Sequence, residues 1–319
     1  MPEYKVVITA RSFGKADDKA YECLQRAGCV WVKLEEEGSA LHERLKHEIV
    51  DADALIAGLE DIGEELINSA KKLKVISRYG VGYDKVDIEA AKKKGIQVTI
   101  TPGANGDSVA DLAVALMLDL ARNVTVMDGS IKSKDQKRPQ GIEMFEKTLG
   151  VIGAGRIGQG VAGRCRGFNM KILAYDVFQN EEFIRETGAE YVDLERLLKE
   201  SDFITIHSPL TEETRNMIAA PQFKLMKKDA VIVNTARGGV IDEAALYDAL
   251  KSGEIRGAGL DATVDEPPYN SPLMSCENCI FTPHAGAATR EASSKMSLMA
   301  AENVAEVLEG KECRFNMAR

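Results

Sequence analysis

Short apolar runs, punctuated by glycine and separated by amphipathic stretches, recur along the whole chain, and their alternation predicts an α/β protein built on parallel sheets. Val6-Val7-Ile8-Thr9 reads as the first strand, and Tyr21, Leu24 and Ala27 mark a helix stopped by Gly28. Val30-Trp31-Val32, Ala54-Leu55-Ile56-Ala57 and Lys74-Val75-Ile76-Ser77 follow as strands, with helices expected from Ile67 to Leu73 and from Ile88 to Lys93. Gly95 to Ile100 closes this first α/β unit, which fills residues 1 to about 100. Beyond Thr101-Pro102-Gly103, Ser108 is expected to cap a helix, with Asp111 in the capping-box position and Val109, Leu112, Ala113, Leu116 and Leu120 as the apolar stripe. Asp128 to Arg138 turns polar and basic and reads as an exposed connection.

A second alternating series starts at Lys147. Its apolar run leads into Gly153-Ala154-Gly155-Arg156-Ile157-Gly158, then a helix with Ile157, Val161, Cys165 and Phe168 on one face, then the strand Ile172 to Tyr175 ending in Asp176. Strand, glycine triplet, amphipathic helix, strand and acid together form a dinucleotide fingerprint. Gly153 permits the tight turn, Gly155 admits a pyrophosphate to the backbone, and Gly158 lets helix and strand pack closely. The helix N-terminus offers free N–H groups to phosphate, and Asp176 stands where an acid accepts the hydroxyls of an adenosine ribose. That acid would repel a 2'-phosphate, and Val177-Phe178-Gln179 supplies no cation for one, so NAD is expected rather than NADP. No Lys-Ser or Lys-Thr follows the glycines, which excludes a nucleoside-triphosphate loop.

Further strands are expected at Phe203 to Ile206, Ala230 to Asn234, Gly257 to Asp261 and Cys279 to Pro283, with Asp242 capping a helix that Gly253 stops. Met296, Met299, Ala300, Val304, Val307 and Leu308 stripe a C-terminal helix ending at Gly310. The 319 residues suffice for two domains, and the apolar and charged fractions are those of an ordinary globular chain without a membrane span. The N-terminus has neither the basic nor the apolar part of a secretory leader, so a cytoplasmic protein is expected. A net charge of −9 argues against a nucleic-acid surface. Cys276 and Cys279 have no second cysteine pair to complete a zinc site and are expected to be ordinary surface-loop residues, with no metal bound.

The candidate chemistry lies at strand ends. His42 and His47 sit among charges on a solvated helix, whereas His207 and His284 each close an apolar strand, with a structural role open for both. Arg78-Tyr79-Gly80-Val81-Gly82-Tyr83-Asp84 follows the fourth strand; its glycines expose amides that suit a carboxylate, and equally fit a plain turn. His284 is suited to proton transfer near neutral pH, Arg237 to a two-pronged grip on a carboxylate, and Glu266 to stabilising an imidazolium. Arg78 is the candidate cation for a substrate phosphate.

These motifs, in this order, resemble the D-2-hydroxyacid dehydrogenases, particularly the phosphoglycerate dehydrogenase branch. The likeness is carried by the glycine fingerprint, Asp176, Asn234-Thr235-Ala236-Arg237-Gly238-Gly239, the Asp261 to Pro267 segment and Thr282-Pro283-His284-Ala285-Gly286, and extends over nearly the whole chain. Asp111 in place of the usual Glu, Glu146 in place of Gly, and Ala262-Thr263-Val264 in place of a Val-Phe pair are departures that remove no catalytic group. The resemblance implies two Rossmann-like parallel-sheet domains, with an NAD domain at 105–286 inserted into a flavodoxin-like substrate domain of 1–104 and 287–319. It implies Arg237, Glu266 and His284 as the catalytic trio, and Val81 and Gly82, with Arg78, near the substrate. Cofactor contacts are implied for Arg156, Ile157, Asp176, His207, Pro209, Thr214, Thr235, Ala236, Asp261 and Gly286 beside the three glycines. A homodimer formed through the helix after Ser108 and the Val124 to Phe145 arm is implied as well. The expected reaction interconverts a D-2-hydroxy acid and its 2-keto acid, with 3-phosphoglycerate foremost and hydroxypyruvate, glyoxylate or lactate as alternatives. An NAD(H)-sensing, corepressor-like binding protein is the reading from another class.

Overall fold

The computed structural model describes residues 3–319; Met1 and Pro2, the start of the expected 1–104 segment, lie outside the described residues. Two compact units divide the chain, one of Met1–Asn105 with Ala287–Arg319, the other of Gly106–Gly286.

The first unit holds a five-stranded parallel sheet of β1 (Tyr4–Ile8), β2 (Cys29–Lys33), β3 (Ala54–Ala57), β4 (Val75–Arg78) and β5 (Gln97–Thr99), in the order β2-β1-β3-β4-β5. That is a flavodoxin-like order, with its reversal between β1 and β3. Strand alternation sends Val7, Leu55, Ile76 and Val98 to one face, against Leu45, Ile49 and Leu66. Val6, Ile8, Ile56 and Val75 take the other, under Leu24, Ala300 and Val304. Each fully buried aliphatic side chain of this kind contributes about 1.5–3 kcal/mol. The helix expected from Ile67 to Leu73 instead spans Glu64–Ser69. Glu64 and Glu65 suit its positive end, the Lys71 amide leaves to bond Val50 O at 3.0 Å, and Lys94 Nζ takes the carbonyls of Ile67, Asn68 and Ala70. Tertiary partners, rather than propensity, set its C-terminal end.

The second unit holds a seven-stranded parallel sheet: β6 (Thr148–Ile152), β7 (Lys171–Tyr175), β8 (Glu190–Tyr191), β9 (Phe203–Ile206), β10 (Val231–Asn234), β11 (Gly257–Leu260) and β12 (Cys279–Phe281), ordered β12-β11-β10-β9-β6-β7-β8. The chain reverses direction across the sheet between β6 and β9. Its two faces are covered by helices, Val161, Cys165 and Leu116 packing on one and Leu197, Phe223 and Leu246 on the other. Three expectations are corrected here. The helix expected to be capped by Ser108 begins at Gly106, so Ser108 lies buried inside its first turn; Asp111 pairs with Arg164 Nε at 2.5 Å instead of closing a capping box. The stretch from Asp128 to Arg138 is not simply a connection, because a helix covers Val124–Lys132. Cys276 and Cys279 are buried core residues at 5% and 9% exposure, not surface-loop ones. Glu277 and Asn278 between them made the pair look solvated.

Candidate active site

Because all seven strands of the second unit are parallel, every loop that follows a strand C-terminus leaves the same edge. Ligands bind along such an edge, at the point where strand order reverses. Here that point is flanked by Gly153 after β6 and His207 after β9.

Gly153 has φ +88°, and a Cβ on it would lie 2.8 Å from the His207 and Ser208 backbone. A Cβ on Gly158 would lie 2.2 Å from the Gly153 carbonyl oxygen. The fold itself requires these two glycines. Gly155 is different: a Cβ there meets nothing within 4 Å, and the residue is the N-cap of the Arg156–Cys165 helix. Nothing in the protein needs that side chain absent, but a pyrophosphate approaching the helix amides does. Arg156 is exposed and Ile157 half-buried beside it. Asp176 directly follows β7, whose last residue, Tyr175, pairs with Ile152 of β6. Its carboxylate accepts from the Ala154 and Phe178 amides at 2.7 and 3.1 Å, which fixes it beside the glycine turn. These residues fit a dinucleotide.

His207 lies between two hydroxyls, Thr205 Oγ1 at 2.8 Å from Nε2 and Thr235 Oγ1 at 3.3 Å from Nδ1. Burial pushes its pKa down to about 3, so the ring is neutral at any physiological pH and serves to shape the site. Thr214 draws its own loop together, donating to Pro209 O at 2.6 Å and accepting from the Thr211 amide at 2.7 Å.

β10, β11 and β12 are in register, with Asn234 opposite Leu260 and Leu260 opposite Phe281. Arg237 and His284 therefore both lie three residues past the same line, with one strand between theirs. Asn234, 1% exposed, braces the first of these loops by accepting from the Ala236 amide at 3.0 Å and donating to Arg237 O at 2.8 Å. Arg237 Nη1 donates to Ala236 O at 2.7 Å. Asp261, 3% exposed, organises the second: it accepts from Thr282 Oγ1 at 2.6 Å, from the Ala285 amide at 2.7 Å and from the Gly286 amide at 2.9 Å. His284 is thereby held at φ +50°, a left-handed conformation uncommon for a residue with a Cβ. Its Nδ1 lies 2.9 Å from Glu266 Oε1, each side chain being 28% exposed. With Nδ1 donating to a carboxylate, Nε2 is the nitrogen left for chemistry.

The structure thus brings together His284 and Glu266, and sets Arg237 on the same edge. The bracing by Asn234 and Thr282 was not foreseen. A polar residue closing an otherwise apolar strand was the available signal for both.

In the first unit, Arg78 is 4% exposed, and its Nε and Nη1 donate to Gly82 O and Ala57 O, each at 3.0 Å. Its guanidinium thus shapes the turn of Val81 and Gly82 from beneath. At the β1/β3 reversal Glu60 Oε1 accepts from the Gly58 amide at 3.1 Å and pairs with the Thr9 hydroxyl. Among the described residues no helix is long and apolar enough to cross a membrane, and no His/Cys/Asp/Glu group could hold a metal ion.

A parallel sheet with a dinucleotide turn at its reversal and a carboxylate-bound histidine further along the same edge fits a nicotinamide-dependent dehydrogenase. Comparison with known proteins agrees. Residues 114–286 match the family model for the NAD-binding domain of D-isomer specific 2-hydroxyacid dehydrogenases. The chain is 48% identical over 274 residues to a D-3-phosphoglycerate dehydrogenase of Methanocaldococcus jannaschii, covering 84% of this chain and 52% of that protein. It is 46% identical over 277 residues to a glyoxylate reductase of Thermococcus litoralis, covering 84% of each. The crystal structure of the TT0316 protein from Thermus thermophilus superimposes with a TM-score of 0.88 at 36% identity, covering 98% of this chain and 99% of that one. The chain belongs to the D-isomer specific 2-hydroxyacid dehydrogenase family and binds NAD. It spans about half the length of the phosphoglycerate dehydrogenase and most of the glyoxylate reductase.

Proposed function

We propose that the protein is an NAD-dependent reductase of small, unphosphorylated 2-keto acids such as glyoxylate and hydroxypyruvate, working reversibly on the D-2-hydroxy acids. The observation that carries the choice of substrate is the burial of Arg78, whose Nε and Nη1 are engaged by Gly82 and Ala57 carbonyls. It was the cation the sequence offered to a phosphate. At the reversal of the same sheet the chain presents an acid, Glu60, and a dianionic phosphate beside it would be repelled. The glyoxylate reductase likeness over 84% of both chains supports the same choice. The 48% identity to a phosphoglycerate dehydrogenase favours phosphohydroxypyruvate as the second reading.

Bound NADH supplies the hydride. His284 delivers the proton from Nε2 to the carbonyl oxygen during reduction, and takes it back from the hydroxyl during oxidation. Glu266, on Nδ1, orients the ring and leaves Nε2 for the proton transfer. Arg237 acts as the fixed positive charge for the substrate's carboxylate and developing oxyanion. The Val81 and Gly82 turn, in the unit proposed to hold substrate, offers amides to a carboxylate. Apolar side chains exposed at Val124, Ile131 and Phe145 support a homodimer.

The test is NADH consumption with glyoxylate, hydroxypyruvate, pyruvate and phosphohydroxypyruvate. Glyoxylate or hydroxypyruvate should exceed phosphohydroxypyruvate in kcat/KM by about tenfold or more, a difference of about 1.4 kcal/mol. The reverse order would establish the phosphorylated substrate. Tight NADH binding without turnover of any of them would point to a sensor.

A further inference from the structure

Ala262 and Thr263 are buried, but beyond them the segment that carries Glu266 is poorly anchored by its own apolar side chains. Val264 and Tyr269 are 63% and 78% exposed, so they bury little that would hold it. Polar bonds and close packing hold it instead. Gly238 lies beneath it so tightly that a Cβ would come within 2.1 Å of the Thr263 carbonyl. Thr263 Oγ1 donates to Asp265 O at 2.7 Å. The third attachment reaches in from another element: Oε1 of Glu243, the first residue of the Glu243–Ser252 helix, accepts from the Val264 amide at 2.7 Å.

The helix cap does not account for this acid. Asp242 already accepts from the Ala244 and Ala245 amides at that end. Burial raises the Glu243 pKa, the bond from the Val264 amide opposes that rise, and the neighbouring Asp265 adds to it, so the Val264 bond is the local interaction that favours the carboxylate beside the helix start. The bond reaches the loop that presents Glu266, two residues beyond Val264, to His284.

We propose that Glu243 is a positioning residue for the reaction, clamping the Val264 N–H so that the 262–267 segment holds Glu266 against His284 Nδ1. The proposal rests on the assignment of His284 and Glu266 as the proton-transfer pair. Displacing a catalytic group by a fraction of an ångström to an ångström costs about 10- to 100-fold in rate. Glu243→Ala should therefore lower kcat by about tenfold or more while the Kd for NADH stays within about twofold. Glu243→Gln, whose amide oxygen accepts the same N–H, should restore most of that loss. Glu243→Asp, one methylene too short to reach, should behave like Ala and serves if Ala does not fold. Independently of turnover, amide hydrogen exchange of the NADH-bound enzyme should speed up over residues 262–267 in the Ala variant and not in the Gln variant. Equal losses in Ala and Gln, or unchanged exchange in Ala, would overturn the clamp. If the wild type reduces no keto acid, the proposed function fails, but the exchange measurement still decides whether the clamp exists.

Discussion

The loops after β6 and β12 leave the same edge of one sheet, and they are fixed in opposite ways. Around β6 the chain is shaped by missing side chains: Gly158 has no room for a Cβ beside the Gly153 carbonyl, and Gly155 leaves open space at a helix N-terminus. Around β12 it is shaped by side chains that reach for backbone, with Asp261 holding the Ala285 and Gly286 amides. The histidines follow the same division. His207, between two threonine hydroxyls, is neutral; His284 is bonded to a carboxylate. A ligand held by backbone needs clearance, whereas a proton-transfer group needs a charged partner and a fixed direction.

The largest effect should come from the reacting end. His284→Ala should lower kcat by about 1000-fold with the Kd for NADH nearly unchanged, measured by steady-state reduction and by fluorescence titration of NADH. Near-normal turnover would remove the distinction between the two histidines. At the other end two glycines should part company. Gly158→Ala forces a side chain against backbone that cannot yield and should destabilise the fold by about 2–3 kcal/mol in thermal melts. Gly155→Ala should leave the melting temperature almost unchanged and weaken NADH by about tenfold, showing that the first glycine serves the fold and the second the ligand. The smallest effect is a pH dependence. His207 has a folded pKa near 3 against an ordinary value of 6.5, so below pH 6.5 the unfolded chain binds a proton that the folded one refuses. Stability should fall as pH drops from 6.5 towards 3, by about 2 kcal/mol at pH 5 from this residue alone. His207→Asn should remove that increment from denaturant melts compared at pH 7.5 and pH 5.

The clearance end was far more legible in the amino-acid sequence than the bonded end. Glycine spacing, the strand before it and the acid after it are local facts, and Asp176 lies where the spacing places it, at the end of β7. Most strands could be read because each is a short run buried on both faces. Helix limits were missed where a distant partner decided them, as with Lys71 bonding Val50, and where a residue with capping chemistry lay inside the helix, as Ser108 does. Asp261 and Glu243 act through bonds to main-chain atoms of other segments, which no spacing reveals. Cys276 and Cys279 were misjudged for a similar reason, since their burial is set by the core that receives them and not by their polar neighbours.

The left-handed backbone at His284 sets stability against activity. Glycine would occupy φ +50° without the penalty of about 1 kcal/mol or more that a Cβ brings, yet glycine transfers no proton. On the proposed role of His284, a His284→Gly variant would relieve that backbone strain, give up the bond to Glu266 and lose activity, so its melting temperature and its turnover need not move together.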